Sequence, residues 1–238
     1  MTALDWIVAL VVTALAALLQ GVVGLGFAMV SVPILSLIDP RLAPVPQLLI
    51  TMPLTISMVW RERHAMDLSG AAWIIAGRVP GAFLGLALLA VATGAALDAM
   101  IAVIVLLAVA IIASGYHVSR NPGTDFTAGV FSGTSSLVAS VGGPPLALLY
   151  TDAEGGTIRS SLAAVFSVGI LITVGVRAFS GNISSSDVRV AVVLFPALLV
   201  GYLFSGPVKD RVSNRQLKMA ILVVSGLAAI GLLIRAVA

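Results

Sequence analysis

Cysteine is absent from all 238 residues, histidine occurs twice, and Asp, Glu, Lys and Arg together make up only 10% of the chain. The first absence excludes disulfides, thiolate nucleophiles and Cys-ligated metal centres. His64 and His117 both fall in polar stretches between apolar runs, so nothing resembles a zinc site or a haem ligand pair, and no cofactor is expected. So little charge cannot coat a soluble surface. With 60% hydrophobic residues and a mean hydropathy of +1.14, a soluble fold of this length would expose large apolar patches. Disorder and nucleic-acid binding are excluded as well. Thirteen basic against ten acidic residues leave a net charge of +3, a thin surplus that reflects loop orientation more than a polyanion partner. The opening Met-Thr-Ala-Leu-Asp-Trp lacks a basic region and a small-residue cleavage site, so no signal peptide is expected and the chain from Leu4 reads as transmembrane. No Walker-type loop is present, which argues against ATP drive within the chain.

What is present is apolar sequence in blocks. Crossing about 30 Å of hydrocarbon takes about 20 residues of helix. The chain offers eight blocks: Leu4–Ile38, Val45–Trp60, Leu68–Ala92, Leu97–Tyr116, Phe126–Tyr150, Ile158–Phe179, Val188–Ser205 and Gln216–Val237. The separators are short and polar, among them Asp39-Pro40-Arg41, Arg61-Glu62-Arg63-His64, Asn121-Pro122-Gly123, Asp152-Ala-Glu154 and Lys209-Asp210-Arg211. A single transmembrane domain, residues 1–238, is expected. The first block would run about 52 Å as one helix, too long for a single crossing without strong tilt. It is interrupted at Gly21-Val-Val-Gly24-Leu-Gly26-Phe27, and the fifth block at Val141-Gly142-Gly143-Pro144-Pro145. Breaks at membrane depth survive only where the freed backbone faces protein or a water-filled cavity.

The interruptions recur at an offset of 116 residues: Gly26 pairs with Gly142, Thr51 with Ser167, Arg61 with Arg177, Pro80 with Pro196 and Gly85 with Gly201. Two related halves follow, about residues 1–120 and 121–238. If the fifth block is a hairpin returning to its own side, eight basic residues (Arg61, Arg63, Arg120, Arg159, Lys209, Arg211, Arg215, Lys218) share one face, against Arg41, Arg177, Arg189 and Arg235 on the other. That asymmetry fits the positive-inside rule; an even split, which single crossings would give, does not. The expected fold is an all-α polytopic membrane protein of two inverted repeats, each a glycine-broken helical hairpin followed by three transmembrane helices, an architecture found in transporters.

The segment from Gly21 through Gly24-Leu-Gly26-Phe-Ala-Met-Val-Ser-Val-Pro33 resembles the first glycine-rich motif of the sulfite exporter TauE/SafE family. Gly129-Val-Phe-Ser-Gly133, running on to Ser140-Val-Gly142-Gly143-Pro144-Pro145, resembles its C-terminal motif. The stretch from Gly181-Asn182-Ile183 through Pro196 and Gly201 to Arg211–Leu217 also fits. The first copy departs from the family's usual run of consecutive glycines by placing Phe27 where glycine is common. The resemblance implies transport of a small sulfur-containing anion (sulfite, thiosulfate or an organosulfonate) across a bacterial inner membrane. It also implies membrane lipid as a partner, no nucleic acid, no enzymatic activity, and leaves a homo-oligomer open. An intramembrane enzyme or a structural membrane protein is the alternative. The former would need an acid/base or nucleophile constellation, and no Asp or Glu sits deep in any block.

The candidate substrate-binding residues gather at the breaks. Gly24, Gly26, Gly142, Gly143 and Pro144 would let half-helix N-termini beyond Phe27 and Pro144 present free N–H groups to an anion. Gln20 and Ser136, related by the 116 offset, and Ser140 are polar groups beside the breaks. Arg78 is the lone charge in its span and is expensive in hydrocarbon, so it should face the bundle interior. Gly81-x3-Gly85 reads as helix packing, and Arg61 and Arg177, at block ends, read as interfacial anchors.

Overall fold

The computed structural model describes residues 1–150, 155–209, 211 and 213–238. Among these the chain is helical and contains no strand. Its helices are α1 (Ala3–Val23), α2 (Phe27–Ile38), α3 (Val45–Glu62), α4 (Ala71–Val91), α5 (Gly94–Ser114), α6 (Pro122–Ala139), α7 (Gly143–Ala147), α8 (Gly155–Phe179), α9 (Ser185–Lys209) and α10 (Asn214–Val237). The polar separator at Asp152 and Glu154, and Asp210 in another, lie outside the described residues.

Seven of the described helices, α1, α3, α4, α5, α8, α9 and α10, are long and apolar enough to cross a bilayer. Leu107, Phe131, Leu203, Phe204 and Leu227 stand exposed on the outside of the bundle. Hydrocarbon covers such a coat without penalty and water does not. This is an integral, multi-pass membrane protein. The fifth apolar block is broken at the expected place. It resolves into α6, whose Gly, Ser and Thr content keeps it below the hydropathy of a spanning helix, and the single turn α7.

Both expected breaks occur. A capping box between Thr2 and Asp5 starts α1, and the helix stops where Gly24 turns left-handed at φ 94°. Gly26, at φ 117°, launches α2. A side chain is disfavoured at either angle, which is why glycine stands at both. Asn121 caps the start of α6, with Pro122 in the first turn where no donor is needed. The end of α6 is Ser140, a non-glycine residue at φ 58°.

Packing partners exchange between the halves. Helix α1 lies on α9 as α6 lies on α4; α3 lies on α9 as α8 lies on α4; α10 meets α2 as α5 meets α7. The pairs α3–α8 and α5–α10 join the halves directly. Polar contacts define the two ends of the bundle. At one, Glu62 pairs with Arg159 and Lys209 at 2.8 and 3.1 Å, and Arg120 bridges Asp67 and Asp125. At the other, Arg235 pairs with Asp98 at 2.6 Å and donates to the Ser36 carbonyl closing α2. Here too Arg41 grips Asp39, and that hydrogen-bonded pairing holds the Asp39 carboxyl down at about 2.

The closest helix pair is built on glycine. A β-carbon added at Gly77 or Gly81 of α4 would overlap the carbonyls of Phe126 and Val130, and one at Gly129 or Gly133 of α6 those of Ile74 and Arg78. Close approach brings backbone into van der Waals contact, the main cohesive force between helices in lipid. Gly81 therefore packs a helix, as its spacing suggested. Gly81→Ala should cost about 1–3 kcal/mol through overpacking. Gly175→Ala, where a β-carbon meets nothing within 4 Å, should leave stability unchanged or slightly raised. Thermal unfolding of the two variants in detergent checks the contrast.

Candidate functional site

Each break is held by side chains of its own half. The Gln20 carbonyl oxygen Oε1 accepts the Phe27 backbone N–H at 3.0 Å, spanning the gap between α1 and α2. In the second half, Ser132 donates its hydroxyl to the Gly142 carbonyl at 2.6 Å, and the Ser140 hydroxyl donates to the Pro44 carbonyl at 2.9 Å. Two of the backbone groups released by the breaks, the Phe27 N–H and the Gly142 carbonyl, are thereby paired inside protein, as burial demands.

The two breaks meet around a cavity of about 40 Å³, room for two or three waters. Gln20, Gly26, Arg78, Ser136, Ser140, Gly142, Gly143 and Pro144 line it, so eight of the nine residues singled out from sequence share one space. Gly24 does not. It faces Arg159 instead, where an added β-carbon would lie 2.8 Å from the Arg159 Cγ. Leu25, Phe27, Ala28, Met29, Thr51, Val141, Phe166 and Ile170 complete the wall. A larger groove of about 790 Å³ lies between α4, α5, α6 and α7, but its lining includes the lipid-facing Leu107 and Phe131 and no charged residue. Charge chemistry belongs to the smaller cavity.

Arg78 dominates that cavity. It sits about 10 Å along α4 from its start, with 1% of its surface exposed. Its Nη1 donates to the Ser132 hydroxyl at 2.7 Å, so Ser132 links the guanidinium to the second break. Its Nε is buried with no hydrogen-bond partner, and among the described residues no carboxylate pairs with it. The guanidinium lies flat against Gly169 of α8, where a β-carbon would overlap Nε and Cζ. At the repeat-related position the second half has Leu194, so the charge is one-sided.

Ser132, Gly169, Phe166 and Ile170 escaped the sequence reading. Ser132 stands one helical turn before Ser136 on the same face of α6, a spacing that could have revealed it. The α8 residues carried no such signal. Thr51 lines the cavity with its hydroxyl donated to the Gln47 carbonyl one turn back, whereas Ser167 returns its hydroxyl to Ala163 and takes no part.

Two expectations change. The second half-helix is short: α7 has five residues and runs on only as a 3-10 turn over Leu148–Tyr150, and neither Pro144 nor Pro145 carries an N–H. First-turn backbone donors at the cavity thus belong to α2, where Ala28 and Met29 line it and lie too early in the helix to reach an intrahelical carbonyl. Nor is Arg177 an interfacial anchor, and Arg61, exposed at the basic end of the bundle, does more than anchor. Arg61 donates to the Gly21 carbonyl near the end of α1, and Arg177 to the Leu137 carbonyl near the end of α6. Each ties down the final carbonyls of a broken helix, and Arg177 is 4% exposed. One buried guanidinium, first-turn N–H groups and the Ser136 hydroxyl together form a donor-rich, acid-free pocket suited to an anion.

A family model described as Sulfite exporter TauE/SafE matches residues 9–232. No curated protein and no solved structure matches the chain. Geometry alone predicts the effect of losing the Gln20 bridge. Gln20→Leu leaves the buried Phe27 N–H unpaired and should cost about 1–3 kcal/mol, whereas Gln20→Glu keeps an acceptor and should recover most of that loss. Thermal stability in detergent reads both.

Proposed function

Because the chain belongs to the sulfite exporter TauE/SafE family, we propose that it is a secondary transporter or facilitator that carries a small sulfur-containing anion, of the sulfite, thiosulfate or organosulfonate type, through the cavity between its two breaks. Arg78 carries this reading. A guanidinium placed inside a membrane bundle costs roughly 2.5–3.5 kcal/mol on insertion scales and calls for a compensating partner. It has one neutral hydroxyl and an idle Nε. A sulfur oxyanion supplies what is missing, since two parallel N–H···O bonds form at once with a guanidinium. Gln20, Gly26, Ser136, Ser140, Gly142, Gly143 and Pro144 shape the remainder of the site, with the α2 first turn adding its positive dipole end.

The halves act as inverted repeats in this scheme, housed in a bacterial inner membrane. Support comes from the exchange of helix partners and from the outer ends of the broken segments. Helix α2 closes at the Arg235–Asp98 end, while α6 begins at the opposite end, beside Arg120. Rocking one half against the other around a fixed site is how such repeats alternate access. With the basic end cytoplasmic, cysteines introduced singly at Asn121 and Ser213 should react only with reagent that crosses the membrane, and one at Asn182 with reagent outside intact cells. The naturally cysteine-free chain gives no background. External labelling of position 213 would overturn this topology.

Transport itself is tested by counterflow of sulfite in liposomes. The parent should show saturable exchange, Arg78→Lys weaker apparent affinity with some transport retained, and Arg78→Gln no saturable transport, all three equally well folded. Lysine keeps the charge but loses the planar fork. Unchanged affinity in Arg78→Gln would make the residue structural.

A further inference from the structure

The broken helices bring an electrostatic liability to the cavity. A helix C-terminus carries about half a negative charge, and α1 and α6 both end beside this space: Gln20 and Ser136 line it, each one residue before Gly21 and Leu137. Two such ends facing the cavity repel an anion held there. Arg61 donates to the Gly21 carbonyl, and Arg177 donates from Nε to the Leu137 carbonyl at 2.9 Å. Donors and acceptors are both 116 positions apart, so the same contact is made twice, once in each half. Neither arginine lines the cavity. Neither is simply neutralised by an acid at hydrogen-bonding range: Glu62 lies 3.8 Å from Arg61 and is shared with Arg159 and Lys209. An arginine acting only as an anchor extends its head to the interface, whereas each of these directs it to a helix-end carbonyl, Arg177 from a buried position and Arg61 from a partly exposed one.

Taking the cavity as the anion site, we propose that Arg61 and Arg177 are a repeat-related pair of positioning residues. Each cancels carbonyl charge at the end of its broken helix, joined in the first half by Arg159, which donates to the Val22 carbonyl at 3.3 Å, so that the field an anion meets between the breaks is set by Arg78 and the α2 N-terminus rather than by the two helix ends. The pair acts through the field, not through contact with the substrate.

A field acts in proportion to ligand charge, whereas a purely mechanical clamp does not distinguish charges. Thiosulfate and methanesulfonate are close in shape, one a dianion and the other a monoanion, and binding of each to the purified protein supplies the measurement. Arg177→Gln and Arg61→Gln keep a hydrogen-bond donor and remove the charge. Each should weaken thiosulfate about tenfold and methanesulfonate by about the square root of that factor, roughly threefold, with unchanged thermal stability. Arg177→Lys and Arg61→Lys should hold both affinities close to the parent's. Equal losses for the two anions, or glutamine and lysine variants that behave alike, overturn the field role and leave a structural cap. If a glutamine variant fails to fold, the lysine variant decides: it must keep the parent's ratio of thiosulfate to methanesulfonate affinity, and a changed ratio overturns the proposal. If methanesulfonate binds too weakly to measure, the contrast between lysine and glutamine on thiosulfate decides in the same way. A parent that binds neither anion overturns the transport reading itself, and with it the role given to the pair. A parent that binds both, with glutamine variants that match it, overturns only the role of the pair.

Discussion

A helix that stops inside a membrane must find partners for its last carbonyls and its successor's first N–H groups within the protein, because hydrocarbon supplies none. The architecture of this chain answers that constraint twice. At the first break Gln20 takes the Phe27 N–H and Arg61 takes the Gly21 carbonyl; at the second Ser132 takes the Gly142 carbonyl and Arg177 the Leu137 carbonyl. Gln20 and Ser132 act locally, from the helix before each break, whereas Arg61 and Arg177 reach in from helices 40 residues away, so the breaks fasten the bundle together as well as interrupting it. Of the described buried side chains left with an unpartnered polar atom, Arg78 with its Nε is the one that lines this cavity.

Glycine serves two purposes here, and the surroundings separate them. Gly24 and Gly26 adopt left-handed backbone that side chains disfavour, and thereby turn the chain. Gly77, Gly81, Gly129 and Gly133 have ordinary helical backbone but no room for a β-carbon, and thereby bring α4 against α6. Gly169 belongs to a third situation, in which the missing β-carbon is the space that a guanidinium occupies. The tight α4–α6 contact and the Gly169 notch together place Arg78 where Ser132 can link it to the second break.

The halves are related but not equal. After its break the first half continues into a twelve-residue α-helix, the second into five α-helical residues followed by a 3-10 turn over Leu148–Tyr150. Arg78 has Leu194 as its counterpart. An anion site needs one net positive focus rather than two copies of every donor, since a second buried guanidinium would add its own desolvation cost. In the proposed transport role, the positions matched at the 116 offset supply the scaffold, and the departures from that match supply the polarity of the site.

Composition and hydrophobic block length alone determined that the chain spans a membrane as helices, because burying a backbone in hydrocarbon leaves few other solutions. The glycine and proline clusters marked where those helices break, since backbone preference is local and visible in a short window. The repeat offset and the lone charge of Arg78 then selected eight residues that line a single cavity. Tertiary structure decided the rest. Gly24 turned away toward Arg159, the helix after the second break came out short, Phe166 and Ile170 joined the wall, and Ser132 and Gly169 came against the Arg78 guanidinium. The roles of Arg61 and Arg177 likewise depended on which carbonyls lay within reach, 40 residues away in both cases. A residue's own sequence neighbourhood records what its backbone can do. Which distant carbonyl or guanidinium it faces is set only when the helices pack.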